Sequence, residues 1–297
     1  MVGIDVVVVS YNSREHLRNC VAPLAGVDGV RVLVVDNASS DRSLDAVADL
    51  PVTAIPQRHN LGFAHGCNVG WRIGSAPLVL FLNPDAVICP EALRRLADAL
   101  LRDSGAGAAA PKILHDGALV TSIRRFPRLR STYARALFLH RVFPRAAWTD
   151  EVVRDEREYE RPRPIDWASG ACLLVRRDAL ERLGGFDECF FLYCEETDLC
   201  RRLRDAGLGV LFEPSAGCSH VGGASAPRST TIPVLTASRI RYARKHRGHV
   251  AAALERGGIA LEALTHALVG RGAAARAAHA RALRLALRPG SHRAAAT

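Results

Sequence analysis

Three carboxylates fall within four positions of FLYCEETDLC, residues 191–200: Glu195, Glu196 and Asp198, set between Cys194 and Cys200. Side chains of this kind can bind a hard cation, supply a general base with its helix behind it, or form no more than a charged helix end. Other candidate chemistry stands just after apolar runs, in Ser10-Tyr11-Asn12, Asp36-Asn37-Ala38-Ser39-Ser40-Asp41, Arg58-His59-Asn60-Leu61-Gly62-Phe63 and Asn83-Pro84-Asp85. All four stretches are polar and turn-forming, and each alone is also compatible with an ordinary turn.

The elements that must position these groups alternate in type. Ile4 to Val9, Val30 to Val35, Val52 to Ile55 and Leu78 to Leu82 are near-continuously apolar, as parallel strands buried on both faces are. Helical stretches are expected between them at 14–24, 42–50, 64–75 and 90–102, the last opening on Pro90. Such alternation implies an α/β domain with a mainly parallel sheet, whose ligands bind beyond the carboxyl ends of the strands. Residues 117–164 are rich in Arg and Pro and read as a long surface excursion. Regularity returns at Ile165, where Asp166-Trp167-Ala168-Ser169-Gly170 runs into the apolar Ala171 to Val175. Leu199, Leu203 and Ala206 then recur at helical spacing until Gly207 supplies a stop. That puts Asp198 in a first helical turn, where it offsets the dipole and can pair with Arg201 or Arg202. From Pro233 the chain reads as helical, with breaks near Gly257-Gly258 and Gly270. The expected division is a domain over 1–232, with a donor-side half of about 1–115 and an acceptor-side half of about 160–232, and a basic helical extension over 233–297.

With 297 residues and 48% hydrophobic composition the chain can bury a full core. It contains no run approaching the ~18 apolar residues of a membrane span. Met1-Val2-Gly3-Ile4-Asp5 lacks the basic, then apolar start of a signal peptide, so a cytoplasmic protein is expected. Its eight cysteines include no C-x-x-C pair, which favours reduced, packed thiols; the spacing of Cys189, Cys194, Cys200 and Cys218 matches no common zinc pattern. The net charge of +10 is confined to one end: residues 1–237 hold 28 Lys+Arg against 28 Asp+Glu, and residues 238–297 hold 12 against 2. A neutral body with a basic, Ala/Leu-rich tail suits an anionic membrane surface better than nucleic acid, for which no binding signature occurs. Neither G-x-G-x-x-G after the first strand nor a G-x-x-x-x-G-K-[ST] loop is present, which argues against dinucleotide-dependent dehydrogenases and P-loop enzymes.

The segments VVVVSYNSREHL, VLVVDNASSDRS, RHNLGFAHGCNVGWR, VLFLNPDAVI, WASGACLLVRRDALERLGGFDE and FFLYCEETDLCRRLRDAG occur in this order, followed by H-V-G-G-A-S and RYARKHRG. The series resembles the GT-A-fold inverting glycosyltransferases of family 2, and most closely their bacterial rhamnosyltransferase-like branch, over roughly residues 3–247. The resemblance implies a Rossmann-like, mainly parallel sheet flanked by helices, with a C-terminal helical extension. It implies transfer of a sugar from a nucleotide-diphosphate donor (dTDP-L-rhamnose, or a UDP- or GDP-sugar) to an acceptor hydroxyl, with Mn2+ or Mg2+ offsetting charge on the leaving diphosphate.

By this resemblance Asn83-Pro84-Asp85 occupies the place of the family's D-x-D, making Asp85 a metal-ligand candidate and His220 a second one. Asn83 departs from the acidic form and would orient the sugar or a metal-bound water. Asp36 would accept a hydrogen bond from the pyrimidine, with Ser10, Tyr11 and Asn12 lining the same pocket. Asn60, Gly62 and Phe63 would close it, and Arg228 would reach the diphosphate. Trp167, Ser169 and Gly170 resemble the acceptor-side wall, although Trp167 also fits a core position. The base falls on Glu196, with Glu195 beside it, where the family more often has Asp. The implied acceptor is a polyprenyl-diphosphate-linked glycan of envelope assembly at the inner face of the membrane, or else a soluble aglycone. A nucleotidyltransferase and a non-catalytic nucleotide-sugar-binding scaffold are the competing classes; Ser10-Tyr11-Asn12-Ser13 is not the Gly-rich basic loop the former usually carries.

Overall fold

The computed structural model describes residues 2–222, 228–270 and 272–288. Twelve strands form among them: β1 (Ile4–Ser10), β2 (Val30–Asp36), β3 (Thr53–Pro56), β4 (Leu78–Leu82), β5 (Ala86–Ile88), β6 (Ala106–His115), β7 (Ala118–Leu119), β8 (Ile123–Arg124), β9 (Arg163–Ile165), β10 (Trp167–Ala168), β11 (Cys172–Arg176) and β12 (Gly209–His220). The α-helices are α1 (Arg14–Val21), α2 (Phe63–Ile73), α3 (Pro90–Arg102), α4 (Leu129–Ala136), α5 (Leu139–Val142), α6 (Arg177–Leu183), α7 (Glu195–Asp205), α8 (Arg228–His246), α9 (His249–Val269) and α10 (Ala273–Leu287).

The main sheet runs β3-β2-β1-β4-β11-β6-β12-β5. Its first four strands are parallel, β11 lies antiparallel between β4 and β6, and β12 returns parallel to β6. Alternation along β1 divides the core: Val6 and Val8 pack on one face of the sheet, Val7 and Val9 on the other. Helix α2 approaches that second face closely because it carries glycine at i and i+4. A Cβ on Gly66 would fall 2.7 Å from Val9 Cγ1, and one on Gly70 2.3 Å from Val7 Cγ1.

Three expectations need correction. The helix expected at 42–50 is only a 3-10 turn, Ser43–Val47, entered from a left-handed Arg42 and drawn tight by the Ser43 hydroxyl and N–H on Asp41. The stretch 117–164 is not a surface excursion. Tyr159 is fully buried, and its hydroxyl accepts the Ile123 N–H at 3.0 Å and donates to Val153 O at 2.9 Å. Nearby, β8 pairs antiparallel with β10, and α4 packs on α9. Nor does the tail break at Gly257-Gly258: α9 runs through it, and the break falls at Gly248 instead. Gly258 serves packing, since a Cβ there would lie 2.9 Å from Thr132 Cγ2 of α4.

Part of the tail's basic charge is directed inward, at Arg239, while Arg244, Arg276, Arg281, Arg284 and Arg288 stay exposed. Arg239 of α8 donates to Glu262 of α9 at 2.6 Å, and Arg135 of α4 reaches the other oxygen of the same carboxylate at 3.0 Å. Burial pushes the Glu262 carboxyl up, but the two guanidiniums outweigh it and hold it at about 2. The boundary expected at residue 232 falls inside α8, which is continuous from Arg228 to His246. Among the described residues no helix is long and apolar enough to cross a membrane.

Asp198 lies in the first turn of α7, as expected, but it is a buried hub between elements rather than a surface cap. Its carboxylate meets Arg202, Lys245 and His246, each at 2.7 Å, the last two from α8. Burial raises this carboxyl; His246, Arg202 and Lys245 prevail and hold it below its ordinary value. Removing it takes a shared partner from Arg202, Lys245 and His246, although Lys245 keeps Asp187 and Arg202 keeps the Leu183 and Gly185 carbonyls, so Asp198→Ala is expected to cost about 1.5–3 kcal/mol in urea unfolding. The wild-type contribution is complete above the unfolded-chain pKa of about 3.9 and is lost as pH falls through the lower folded value.

Candidate active site

The ends of β1 and β2 are latched together. The Asn12 N–H donates to Ser39 Oγ at 2.9 Å, the Ser40 N–H donates to Asn12 Oδ1 at 2.8 Å, and Asp36 accepts both the N–H and the hydroxyl of Ser39. Asp36 is thus held rigidly at the sheet end, with only 7% exposure. Ser10 points inward, and its hydroxyl is buried without a partner. Tyr11 faces outward, 44% exposed.

Tyr11, Asn60, Gly62, Phe63 and Asn83 share one cleft of about 280 Å³ at this end of the sheet. Gly62 is there for conformational reasons. Its φ is +98°, and a Cβ would lie 2.4 Å from the Phe191 carbonyl oxygen. Asn60 Oδ1 accepts the Gly62 N–H at 3.0 Å, and the Phe63 N–H donates to Phe191 O at 2.8 Å. The donor-side loop is therefore stitched directly to the segment leading into α7. Opposite walls come from Phe191, Leu192, Thr230, Thr231 and Val234. Sequence reasoning did not single these out as site residues. The FLY of FLYCEETDLC carried a signal for two of them, but nothing local marks the start of α8 as a cleft wall.

Asp85 follows β4, and His220 ends β12. His220 Nε2 stands 3.1 Å from Asp85 Oδ1, while the Gly222 N–H donates to Oδ2 at 3.2 Å. Burial pushes the Asp85 carboxyl up, but the imidazole and the N–H groups of Asp85 and Gly222 hold it below its ordinary value. Two donor atoms 3.1 Å apart match cis positions around a cation with ligands near ~2.1 Å, which lie about 3.0 Å from each other. Among the described residues no group of three or more His, Cys, Asp and Glu side chains forms a closed cage. Asp85 and His220 by themselves supply two ligands and no more.

Glu195 and Glu196 begin α7, where the helix dipole favours negative charge. They are delivered by two consecutive non-glycine residues in the left-handed region, Tyr193 (φ 68°) and Cys194 (φ 66°). Helix α8 clamps this turn: the Ser238 hydroxyl donates to Leu192 O at 2.8 Å, and Tyr193 hydrogen-bonds Thr231. Gly170 lies against Glu196, so a Cβ there would be 3.5 Å from its Cβ and Cγ. The Trp167 indole N–H donates to Arg125 O and the Ser169 backbone N–H to Ser122 O. Trp167 packs against the core, which agrees with its core reading. The Arg228 side chain lies outside the described residues.

Burial pushes both glutamates above the ordinary carboxylate range, and each has one buried oxygen without a partner. They differ in compensation. The N–H groups of Glu196, Gly170 and Thr197 and the charge of Arg124 favour ionised Glu196. Glu195 feels repulsion from Glu196 and has only its own N–H against it. Of the two, Glu196 has the better support for its ionised form.

These elements have counterparts in known proteins. A family model described as Glycosyl transferase family 2 matches residues 5–184. The N-acetylglucosaminyl-diphospho-decaprenol L-rhamnosyltransferase of Mycobacterium tuberculosis is 37% identical over 233 residues, covering 73% of this chain and 75% of that protein. Rhamnosyltransferase WbbL of Escherichia coli is 25% identical over 240 residues, covering 73% and 83%. Among solved structures, the mannosyltransferase PcManGT from Pyrobaculum calidifontis in complex with GDP-Man and Mn2+ superposes with a TM-score of 0.55 at 19% identity, over 96% of this chain and 80% of that one. With its GT-A sheet and this match over most of its length, the chain belongs to glycosyl transferase family 2 and is a glycosyltransferase of the rhamnosyltransferase-like branch.

Proposed function

We propose that this enzyme transfers a sugar, L-rhamnose before other hexoses, from a nucleotide-diphosphate donor to a hydroxyl of a polyprenyl-diphosphate-linked acceptor in envelope glycan assembly. The activity of the mycobacterial relative, an N-acetylglucosaminyl-diphospho-decaprenol L-rhamnosyltransferase, supports the donor-sugar and acceptor classes. The observation that carries the chemistry is the presence of an Asp85–His220 pair 3.1 Å apart after β4 together with a buried Glu196 set against Gly170.

Asp85 Oδ1 and His220 Nε2 would hold a divalent cation, an oxygen-plus-imidazole set better suited to manganese than to magnesium. When bound, it supplies charge to offset the leaving diphosphate. Asp36, Tyr11, Asn60 and Phe63 bind and orient the donor, and Asn83 faces its sugar end. Glu196 takes the proton from the acceptor hydroxyl as that oxygen attacks the anomeric carbon and the bond to the diphosphate breaks. Glu195 stays protonated behind it, and its neutrality lets Glu196 carry charge in a buried site. The extra methylene of Glu relative to Asp is accommodated because Gly170 leaves room beside it.

Three outcomes are expected. Asp85→Ala should abolish the manganese-dependent thermal shift given by dTDP-L-rhamnose, a loss of at least ~10-fold in donor affinity; an unchanged shift would remove Asp85 from the metal site. Glu196→Gln should lower kcat by roughly 10²–10⁴ while sparing donor binding, whereas Glu195→Gln mimics the protonated state and should stay within about tenfold of wild type. Because the base works only when ionised and its pKa is raised, kcat/KM should fall on the acid side at a pH above the ordinary glutamate value of about 4.3. An acid limb at or below that value, or a dead Glu195→Gln beside an active Glu196→Gln, would reverse the assignment.

A further inference from the structure

Seven of the sixteen exposed large apolar side chains among the described residues lie in one neighbourhood, away from the cleft. Leu137, Val142, Phe143 and Trp148 follow α4, and Leu264, Leu268 and Val269 end α9. The two stretches are joined: the Phe138 ring lies 4.5 Å from the His266 ring, and the Thr265 hydroxyl donates to Ala136 O at 2.8 Å. Val142 is 66% exposed and Leu268 74%, so neither finds the burial such side chains gain in a core.

The charge around this patch has one sign. Residues 117–149 hold seven arginines and no Asp or Glu, and after Glu262 the chain holds six arginines and no acid. The carboxylates flanking the two stretches, Asp150 and Glu262, are buried and already paired, the first with Arg135 and Arg154 and the second with Arg135 and Arg239. Arg141 and Arg145 are exposed, the former lying over the Phe138 ring at 4.5 Å. Aromatic and aliphatic side chains rimmed by unopposed guanidiniums suit the headgroup zone of an anionic bilayer, where rings enter the acyl boundary and arginines meet phosphates. A second copy of the chain would bring the same uncompensated positive charge to the contact, which disfavours self-association.

We infer that residues 137–148 and 264–269 form a docking surface for anionic lipid bilayer. This deepens the lipid-linked acceptor reading and rests on it for its purpose. It also places the membrane contact on the segment after α4 and the end of α9, where exposed apolar side chains and arginines coincide.

The test uses the full chain with phosphatidylcholine vesicles, with and without phosphatidylglycerol. Binding is expected only to the phosphatidylglycerol vesicles and should weaken with salt. The Val142→Asp/Phe143→Asp variant should bind at least ~10-fold more weakly, with its melting curve and its transfer to a short-chain, water-soluble acceptor unchanged. Trp148 should report insertion by a blue shift of fluorescence that Trp148→Phe removes. Absent binding, equal binding to neutral vesicles, or wild-type binding by the double variant would each overturn the inference. So would a wild-type dimer that the double variant converts to monomer without any effect of vesicles. Vesicle binding by a chain that transfers sugar to no acceptor would overturn the functional reading and leave the docking surface standing.

Discussion

The structure turns on one strained turn. Tyr193 and Cys194 both adopt the left-handed conformation, which disfavours residues with a Cβ by about 1–2 kcal/mol each. The cost is offset by contacts from outside the turn: Ser238 and Thr231 of α8 hold Leu192 and Tyr193, and Asp198 one turn into α7 grips Lys245 and His246 of α8. Helix α8 is in turn fixed to α9 and α4 through Arg239, Glu262 and Arg135. The C-terminal helices therefore belong to the apparatus that aims Glu195 and Glu196. A chain ending before α8 would keep the sheet and lose the aim.

Close backbone approach is the second constraint, and it couples the two halves. Gly62 admits the Phe191 carbonyl where any side chain would collide, and the Phe63 N–H then donates to that carbonyl. Farther along α2, Glu188 gathers His65 and Asn68. The loop proposed to close over a donor is thereby bonded to the segment proposed to carry the base. Charge separates the carboxylates further. His220 holds the Asp85 carboxyl below its ordinary value, whereas burial raises both glutamates, Glu195 with less N–H support than Glu196.

The parallel half of the fold was legible because burial on both faces leaves strands such as Val6-Val7-Val8-Val9 without polar interruption. β6 was not, since AGAAAPKILH has no β-branched run and takes its strand character from β11 and β12 on either side. The stretch 117–164 misled because its arginines look solvated, yet Arg135 finds its carboxylate 127 residues away in Glu262. Gly257-Gly258 resembled a break because local sequence does not distinguish a glycine that ends a helix from one that admits Thr132. In the site, strand-end residues such as Tyr11, Asn60, Gly62, Phe63 and Asn83 could be picked out because a strand's polar end is marked in sequence. Thr230 and Val234 could not, because the placement of α8 is wholly tertiary.

The chemistry proposed for this arrangement is a single displacement: a carboxylate that takes a proton on the acceptor side, and no protein nucleophile bonded to the sugar. Its direct check is the anomeric configuration of the product, read by NMR from the one-bond carbon–hydrogen coupling at the transferred sugar. Inversion relative to the donor is expected. Retention would require a covalent or front-face route that Glu196 in its present role does not provide, and would contradict the account.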